Sequence, residues 1–231
     1  MKTCHIFCAG EFHGLLEQPE PGDFILAADG GLRHLQAAGL EPSGILGDFD
    51  SLGYTPQGPL VDRFPIEKDD TDSMLAVKAG LEAGCRRFLL YGALDGPRLD
   101  HTVANFQLLH YLTEHDAFGY LIGQTYLATV LAPGCLGFSR EASGILSVFC
   151  SGPDAAGVSL RGLQYPLEQA VLTAGFPLGV SNHFLGCPAE ISLESGRLLL
   201  LWDRRNGLPE SRRVRDARMN EDAGHRCPHS C

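Results

Sequence analysis

The sequence predicts an α/β protein in two parts: a parallel sheet covered by helices, followed by a smaller antiparallel β-sandwich. Three observations carry that prediction. In the first 123 residues, short apolar runs alternate with helix-length segments. From about Gly123 onward only strand-sized apolar pieces recur, with turns between them and no long amphipathic stretch. The apolar runs of the first part also lead into glycine or aspartate, where strands of a parallel sheet would meet a ligand.

Taken in order, CHIFCA (4–9) is a strand followed by Gly10, and FILAA (24–28) is a second, ending at Asp29-Gly30-Gly31. Leu32 to Ala38 reads as a helix closed by Gly39. Ile45-Leu46 precedes Gly47 and a first acidic stretch. Asp70 or Thr71 caps a helix running to Ala83, with Met74, Val77 and Leu81 at apolar spacing and Gly84 past its end. FLLY (88–91) is a buried strand before Gly92. Asp100 to about Glu114 is a second strong helix, carrying Val103, Phe106, Leu109 and Leu112, and Phe118 to Ile122 is a further strand. The second part offers YLATVL (126–131), GILSVFC (144–150), QAVLTA (169–174), AEISLES (189–195) and RLLLLW (197–202). Gly196 makes the last two a tight hairpin, and Trp202 reads as core. The expected division is a Rossmann-like α/β domain over 1–123, a β-sandwich over 124–203 and an Arg-rich tail over 204–231.

With 44% hydrophobic and 20% charged residues, the chain can build a packed core. No apolar run approaches the ~20 residues of a membrane helix. The N-terminal MKTCHIFCAGEFHG has too short an apolar stretch for a signal peptide, so a cytoplasmic protein is expected. In that setting the eight cysteines read as reduced thiols, with Cys4, Cys8, Cys85 and Cys150 as small core residues. HRCPHSC (225–231) alternates His and Cys in a way that suits a soft metal, but no flanking element would shape a site, and it reads as a frayed tail. The net charge of −10 argues against general nucleic-acid binding. Seven arginines against four acids from Arg204 onward give +3, so the preceding residues carry −13. A body this acidic would handle phosphates through bound cations.

The acids are not scattered. Asp29, Asp48 and Asp50 follow strand-like runs directly, Asp69, Asp70 and Asp72 precede a helix, and Asp95 and Asp100 follow FLLYGA. In a parallel sheet most of these converge on one rim. Converging carboxylates repel one another and call for a hard cation, magnesium being the usual one where phosphates are present. Singly, Asp70 or Asp72 could cap a helix and Asp48 or Asp50 could belong to a turn. Their joint appearance at consecutive strand ends goes beyond turns and caps. Gly30 and Gly31 would let the backbone approach a ligand at a helix start, which attracts anions. Neither GxxxxGK[ST] nor GxGxxG is present. Among the acids lie Lys68, Arg98 and His101; Arg98 is the strongest phosphate clamp, while His101 reads equally as a core, capping or catalytic residue.

This set of motifs, ADGG (28–31), ILGDFDS (45–51), FPIEKDDTD (64–72), GPRLDH (96–101), GLQYPL (162–167) and GVSN (179–182), resembles the thiamine pyrophosphokinase family in its bacterial form, in order and spacing over residues 4–203. The resemblance implies an ATP- and Mg²⁺-binding catalytic α/β domain joined to a thiamine-binding β-sandwich, and a homodimer with active sites at the interface. It implies transfer of the diphosphoryl group of ATP to the hydroxyethyl arm of thiamine, with release of AMP. Carried over by motif, Asp48, Asp50 and Asp72 would be Mg²⁺ ligands with Asp29 and Asp69 close by. Gly30, Gly31, Lys68, Thr71, Arg98, Asp100 and His101 would serve the nucleotide site, and Tyr165, Ser181 and Asn182 would contact thiamine. Asp72 and Asp100 are both candidates to accept the hydroxyl proton. Three rival readings differ in chemistry: a pyrophosphokinase for a hydroxymethyl pterin, a non-catalytic nucleotide or thiamine binder, and a metal-dependent phosphohydrolase. Ser181-Asn182 by itself reads as a turn, and GLQYPL with GVSN favours thiamine over the pterin.

Overall fold

Mostly apolar residues build the first strands. In the computed structural model, which describes residues 1–49, 52–58, 60–63 and 70–213, β1 (Thr3–Phe7) is buried along its whole length and β2 (Phe24–Ala28) over its last three residues. α1 (Gly31–Ala37), β3 (Gly44–Gly47), the short β4 (Val61–Arg63), α2 (Asp72–Glu82), β5 (Arg87–Tyr91), α3 (Leu99–Glu114), β6 (Phe118–Ile122) and β7 (Tyr126–Leu131) follow. The chain divides into two compact units, Met1–Val130 with Leu201–Arg205, and Leu131–Leu200 with the described residues from Asn206.

In the first unit the strand order is β7-β6-β5-β1-β2-β3-β4. Every pairing from β6 to β4 is parallel, and β7 is antiparallel to β6. The result is a mixed α/β arrangement with few helices. α1 packs on β1 and β2, α2 on β1, β2 and β3, and α3 on β6. The buried stripe of α2 is Ala76, Val77 and Gly80 rather than Met74 and Leu81, which are half-buried. The reason is local: a Cβ on Gly80 would come 2.6 Å from the Phe88 ring and 2.9 Å from Cys4 Sγ, so the helix backbone itself lies on the sheet. In α3 the core side chains are Leu108, Leu109 and Leu112, whereas Val103 is exposed. Trp202 is fully buried and meets Tyr120 edge-on at 6.1 Å.

The second unit contains β8 (Gly134–Phe138), β9 (Ile145–Cys150), β10 (Ala155–Arg161), β11 (Leu167–Leu172), β12 (Gly179–His183), β13 (Ala189–Leu193), the first half of β14 (Leu198–Asp203), and β15 (Glu210–Arg213). A separate antiparallel sheet runs β11-β10-β13-β8-β15, and β9 pairs antiparallel with β12. Four expectations change. AEISLES and RLLLLW do not form a hairpin: β13 pairs with β8 and β10, and Gly196 (φ +88) turns the chain out of that sheet. GVSN is not a turn but part of β12, whose register shifts between Gly179 and Asn182 where Ser181 adopts φ +56. Cys150 is half-buried, unlike the fully enclosed Cys4, Cys8 and Cys85. The polar segment after Arg204 begins with a 3-10 turn (Arg204–Asn206) and adds β15 to the edge of β8, a place where a polar, Arg-rich strand is favoured.

Candidate active site

Three of the predicted acids meet. Asp29 follows β2 directly, buried and in a left-handed conformation (φ +47), with its N–H on the Leu46 carbonyl at 2.7 Å. Gly47 leaves room for it, since a Cβ there would lie 3.1 Å from Asp29 Cα. Asp48 follows β3, held by the buried Phe49 (φ +65), and Asp72 opens α2. One carboxylate oxygen from each of Asp29, Asp48 and Asp72 lies within 4.8 Å of the others. Three anionic oxygens that close, one side chain buried, form a donor set suited to a hard divalent cation. Asp50, Lys68 and Asp69 lie outside the described residues.

Helix capping falls to Thr71, whose Oγ1 accepts the Met74 N–H at 3.2 Å. That leaves Asp72 for the rim. Asp70 is paired with Lys78 Nζ at 2.6 Å. Gly31 is demanded by packing, because a Cβ would fall 1.8 Å from the Phe7 carbonyl oxygen, and neither it nor Gly30 lines the pocket that Asp29 faces.

That pocket, about 420 Å³, has an acidic wall of Asp29, Asp48, Asp70 and Asp72 with Thr71 and Ser73. Cys8, Ala9 and Gly10 after β1, the loop Gly92–Arg98 after β5, and His101, Thr102 and Asn105 of α3 complete it. Cys8 is enclosed and accepts a hydrogen bond from Ser73 Oγ at 3.4 Å; burial pushes its thiol up to about 11, so it is neutral and unreactive. Arg98 grips Asp100 through two bonds, Nε to Oδ1 at 2.9 Å and Nη2 to Oδ2 at 2.6 Å, both side chains being exposed. The guanidinium holds the Asp100 carboxyl down at about 2, so in this arrangement it is a poor proton acceptor. His101, the next residue of α3, lines the pocket. Thr102 and Asn105 were not singled out from the sequence. The available signal was polar residues at 98, 101, 102 and 105, the i, i+3, i+4, i+7 positions on one face at the start of the helix.

In the second unit, Tyr165 lies between β10 and β11 with its side chain exposed. Asn182, only 2% exposed, accepts the Tyr165 N–H at 2.9 Å and donates to the Tyr165 carbonyl at 2.8 Å. The Ser181 N–H is held by Ser147 Oγ at 3.0 Å, and the Ser181 side chain is exposed. Asn182 is therefore a brace for Tyr165.

Fold and site together define an α/β protein with an acid-rimmed pocket on a parallel sheet and an antiparallel unit later in the chain. The catalytic-domain model of thiamin pyrophosphokinase matches residues 20–118, and the model of its vitamin B1 binding domain matches residues 138–198. The chain is 27% identical over 211 residues to thiamine pyrophosphokinase of Bacillus subtilis, covering 87% of this chain and 98% of that protein. Among solved structures, thiamine pyrophosphokinase from Bacillus subtilis superposes with a TM-score of 0.77 at 27% identity, covering 87% of this chain and 98% of that one. The enzyme from Geobacillus thermodenitrificans gives 0.74, also at 27%, over 86% and 96%. Yeast thiamin pyrophosphokinase shares the fold at 14% identity, with a TM-score of 0.64 over 87% and 86%. The chain belongs to the thiamine pyrophosphokinase family.

Proposed function

We propose that this chain is an ATP-dependent thiamine diphosphokinase that moves the diphosphoryl group of ATP to the hydroxyethyl oxygen of thiamine. The family membership supports it, and the single observation that carries it at the level of the site is the trio of Asp29, Asp48 and Asp72 inside one pocket. In the reaction the thiamine hydroxyl oxygen bonds to the β-phosphorus, the bond from that phosphorus to the α–β bridging oxygen breaks, and AMP leaves with the electron pair. Asp29, Asp48 and Asp72 would hold Mg²⁺, with Asp50 and Asp69 as further candidates from the sequence. The cation, when bound, would neutralise charge on the transferred group.

The remaining work is positioning. Arg98 is close enough to solvent to exchange Asp100 for a phosphate, because an exposed ion pair of this kind contributes little. Once Arg98 turns to phosphate, Asp100 regains basicity, so Asp100 and Asp72 both stay candidates for the hydroxyl proton. His101 and Thr71 border the same phosphate-sized space, and Lys68 is a further candidate from its motif. Tyr165 would offer a ring face to the thiamine cation, Ser181 a hydroxyl, and Asn182 the brace that aims Tyr165. Phe176, Leu178, Val180 and Leu185, all exposed in the second unit, support a homodimer.

Incubation of the chain with ATP, Mg²⁺ and thiamine is expected to yield thiamine diphosphate and AMP in equal amounts. Free phosphate or pyrophosphate without a diphosphorylated alcohol would convert the reading to a hydrolase, and turnover only with a hydroxymethyl pterin would move it to that substrate.

A further inference from the structure

The loop after β5 has its carbonyls taken up one after another. The Gly92 carbonyl accepts the Gly10 N–H at 3.0 Å, and the Asp95 carbonyl accepts the Glu11 N–H at 2.9 Å. Between them, the Ala93 carbonyl accepts Asn105 Nδ2 at 2.7 Å, and the Thr102 hydroxyl is shared between the carbonyls of Leu94 at 3.3 Å and Arg98 at 3.4 Å. Among the described residues, no hydrogen bond is donated by the N–H groups of Ala93, Leu94, Asp95 or Gly96. Ala93, Asp95 and Gly96 line the pocket that holds the carboxylate trio, and so does Asn105, which is only 7% exposed. A run of amides whose carbonyls are all committed elsewhere is a concentration of positive dipole, the arrangement that binds oxyanions. The lining also includes the carboxylates of Asp29, Asp48 and Asp72, so a phosphate chain in the pocket needs donors of this kind to offset them.

We propose that Asn105 and Thr102 are positioning residues that hold the carbonyls of Ala93 and Leu94 back toward α3, so that the amides of Ala93–Gly96 meet the phosphates of the bound nucleotide. This rests on the diphosphokinase reading above. Asn105 is suited to it because a buried amide can donate to a carbonyl without carrying charge, and a buried donor left without its acceptor is costly enough to keep the contact made. Thr102 adds a second tether one residue later in the loop and one helical step earlier in α3. Gly10 closes the other side, where a Cβ would lie 2.4 Å from the Asp95 carbonyl oxygen and 2.5 Å from that of Gly92.

The test pairs near-isosteric changes in the full chain. Asn105→Asp replaces the donor with an acceptor facing the Ala93 carbonyl; Thr102→Val deletes only the hydroxyl, and Thr102→Ser restores it. Asn105→Asp and Thr102→Val are each expected to raise the KM for ATP about tenfold, with the KM for thiamine unchanged and Thr102→Ser close to wild type. Calorimetric binding of a non-hydrolysable ATP analogue with Mg²⁺ should weaken by the same factor. An unchanged KM for ATP in both variants overturns the assignment. A rise in both KM values together, with a matching fall in Tm, overturns it as well, since that marks general loosening. A wild-type chain that makes no thiamine diphosphate would instead undo the diphosphokinase reading.

Discussion

The two ends of the parallel sheet in the first unit use the same residue types to opposite effect. At the amino ends the charged side chains of Asp23 and Arg87 are held by protein partners. Asp23 accepts the N–H groups of Thr3 at 3.0 Å and Glu20 at 2.9 Å and contacts His5 Nε2 at 3.2 Å. Arg87 donates to Glu17 Oε2 at 2.6 Å and to Thr3 Oγ1 at 3.3 Å. At the carboxyl ends, Asp29, Asp48 and Asp72 bring three anionic oxygens within 4.8 Å of one another. One end spends its polar groups on holding the fold together. The other gathers like charge, which a divalent cation from solution would offset. Damage to the two ends should therefore separate activity from stability.

The largest effect belongs to the carboxyl end. Asp48→Asn or Asp72→Asn is expected to lower kcat/KM by about 10³, since a metal contributes several kcal/mol to the transition state and each ~1.4 kcal/mol is tenfold. Chelation of the wild type should do the same. In metal-free buffer these variants should melt no lower than wild type, because a like charge has been removed, and the Mg²⁺-dependent rise in Tm should vanish. A variant that lost activity and melted lower with or without Mg²⁺ would make the trio a structural element and erase the contrast between the ends.

The carboxyl end was also the more legible in the sequence. Aspartate at the close of FILAA and after ILG is itself the chemistry, so reading residues in order was enough to place Asp29 and Asp48 on one rim. β1, β2, β5 and β6 were legible because their residues are apolar on nearly every side. β4 (VDR) and β15 (ESRR) were not, because short edge strands need no apolar pattern. β8 (GCLGF) is broken up by glycine, and β12 carries an irregular register at a Ser-Asn pair that reads as a turn. Thr102 and Asn105 escaped because their targets are carbonyls of a loop, and nothing in a residue type names the backbone atom it will bind. Apart from the local Glu20–Asp23 contact, the amino-end pairs join residues 18 to 84 positions apart, a distance no local pattern spans.

An intermediate effect is expected from Arg87→Met, at the amino end. The substitution keeps much of the apolar stem and deletes the bonds to Glu17 and Thr3. Arg87 is partly screened by solvent, at 21% side-chain exposure with 40% for Glu17, so the loss should be about 1 kcal/mol, or roughly 2–4 °C in Tm for a chain of this size. Steady-state kinetics should show kcat unchanged. A selective loss of activity at constant Tm would mean that the amino end reaches the chemistry and that the division of labour is wrong.

The smallest effect is a pH dependence at His5. Burial drives its pKa below the ordinary value against the pull of Asp23, so the contact is a neutral imidazole on a carboxylate at pH 7. His5 is 1% exposed, and among the described residues its Nδ1 has no hydrogen-bond partner, so a second ring proton would be buried without an acceptor. Burial pulls Asp23 upward, but the N–H groups of Glu20 and Thr3, together with His5, take it below its ordinary value. The signs then separate the two groups. For His5 the unfolded chain takes up the proton first, so stability falls as pH drops through the ordinary histidine range of ~6.5 toward the lower folded value. For Asp23 stability is present above ~3.9 and lost as pH falls further, through its depressed folded value. His5→Phe keeps the ring beside Tyr91, which the imidazole stacks on at 6.2 Å, while removing the titration. Urea unfolding at pH 7, 6 and 5 should show a lower midpoint for the variant at pH 7 but a smaller decline toward pH 5. Parallel declines in the two proteins would mean that His5 does not resist protonation, and that the pH dependence of stability arises elsewhere.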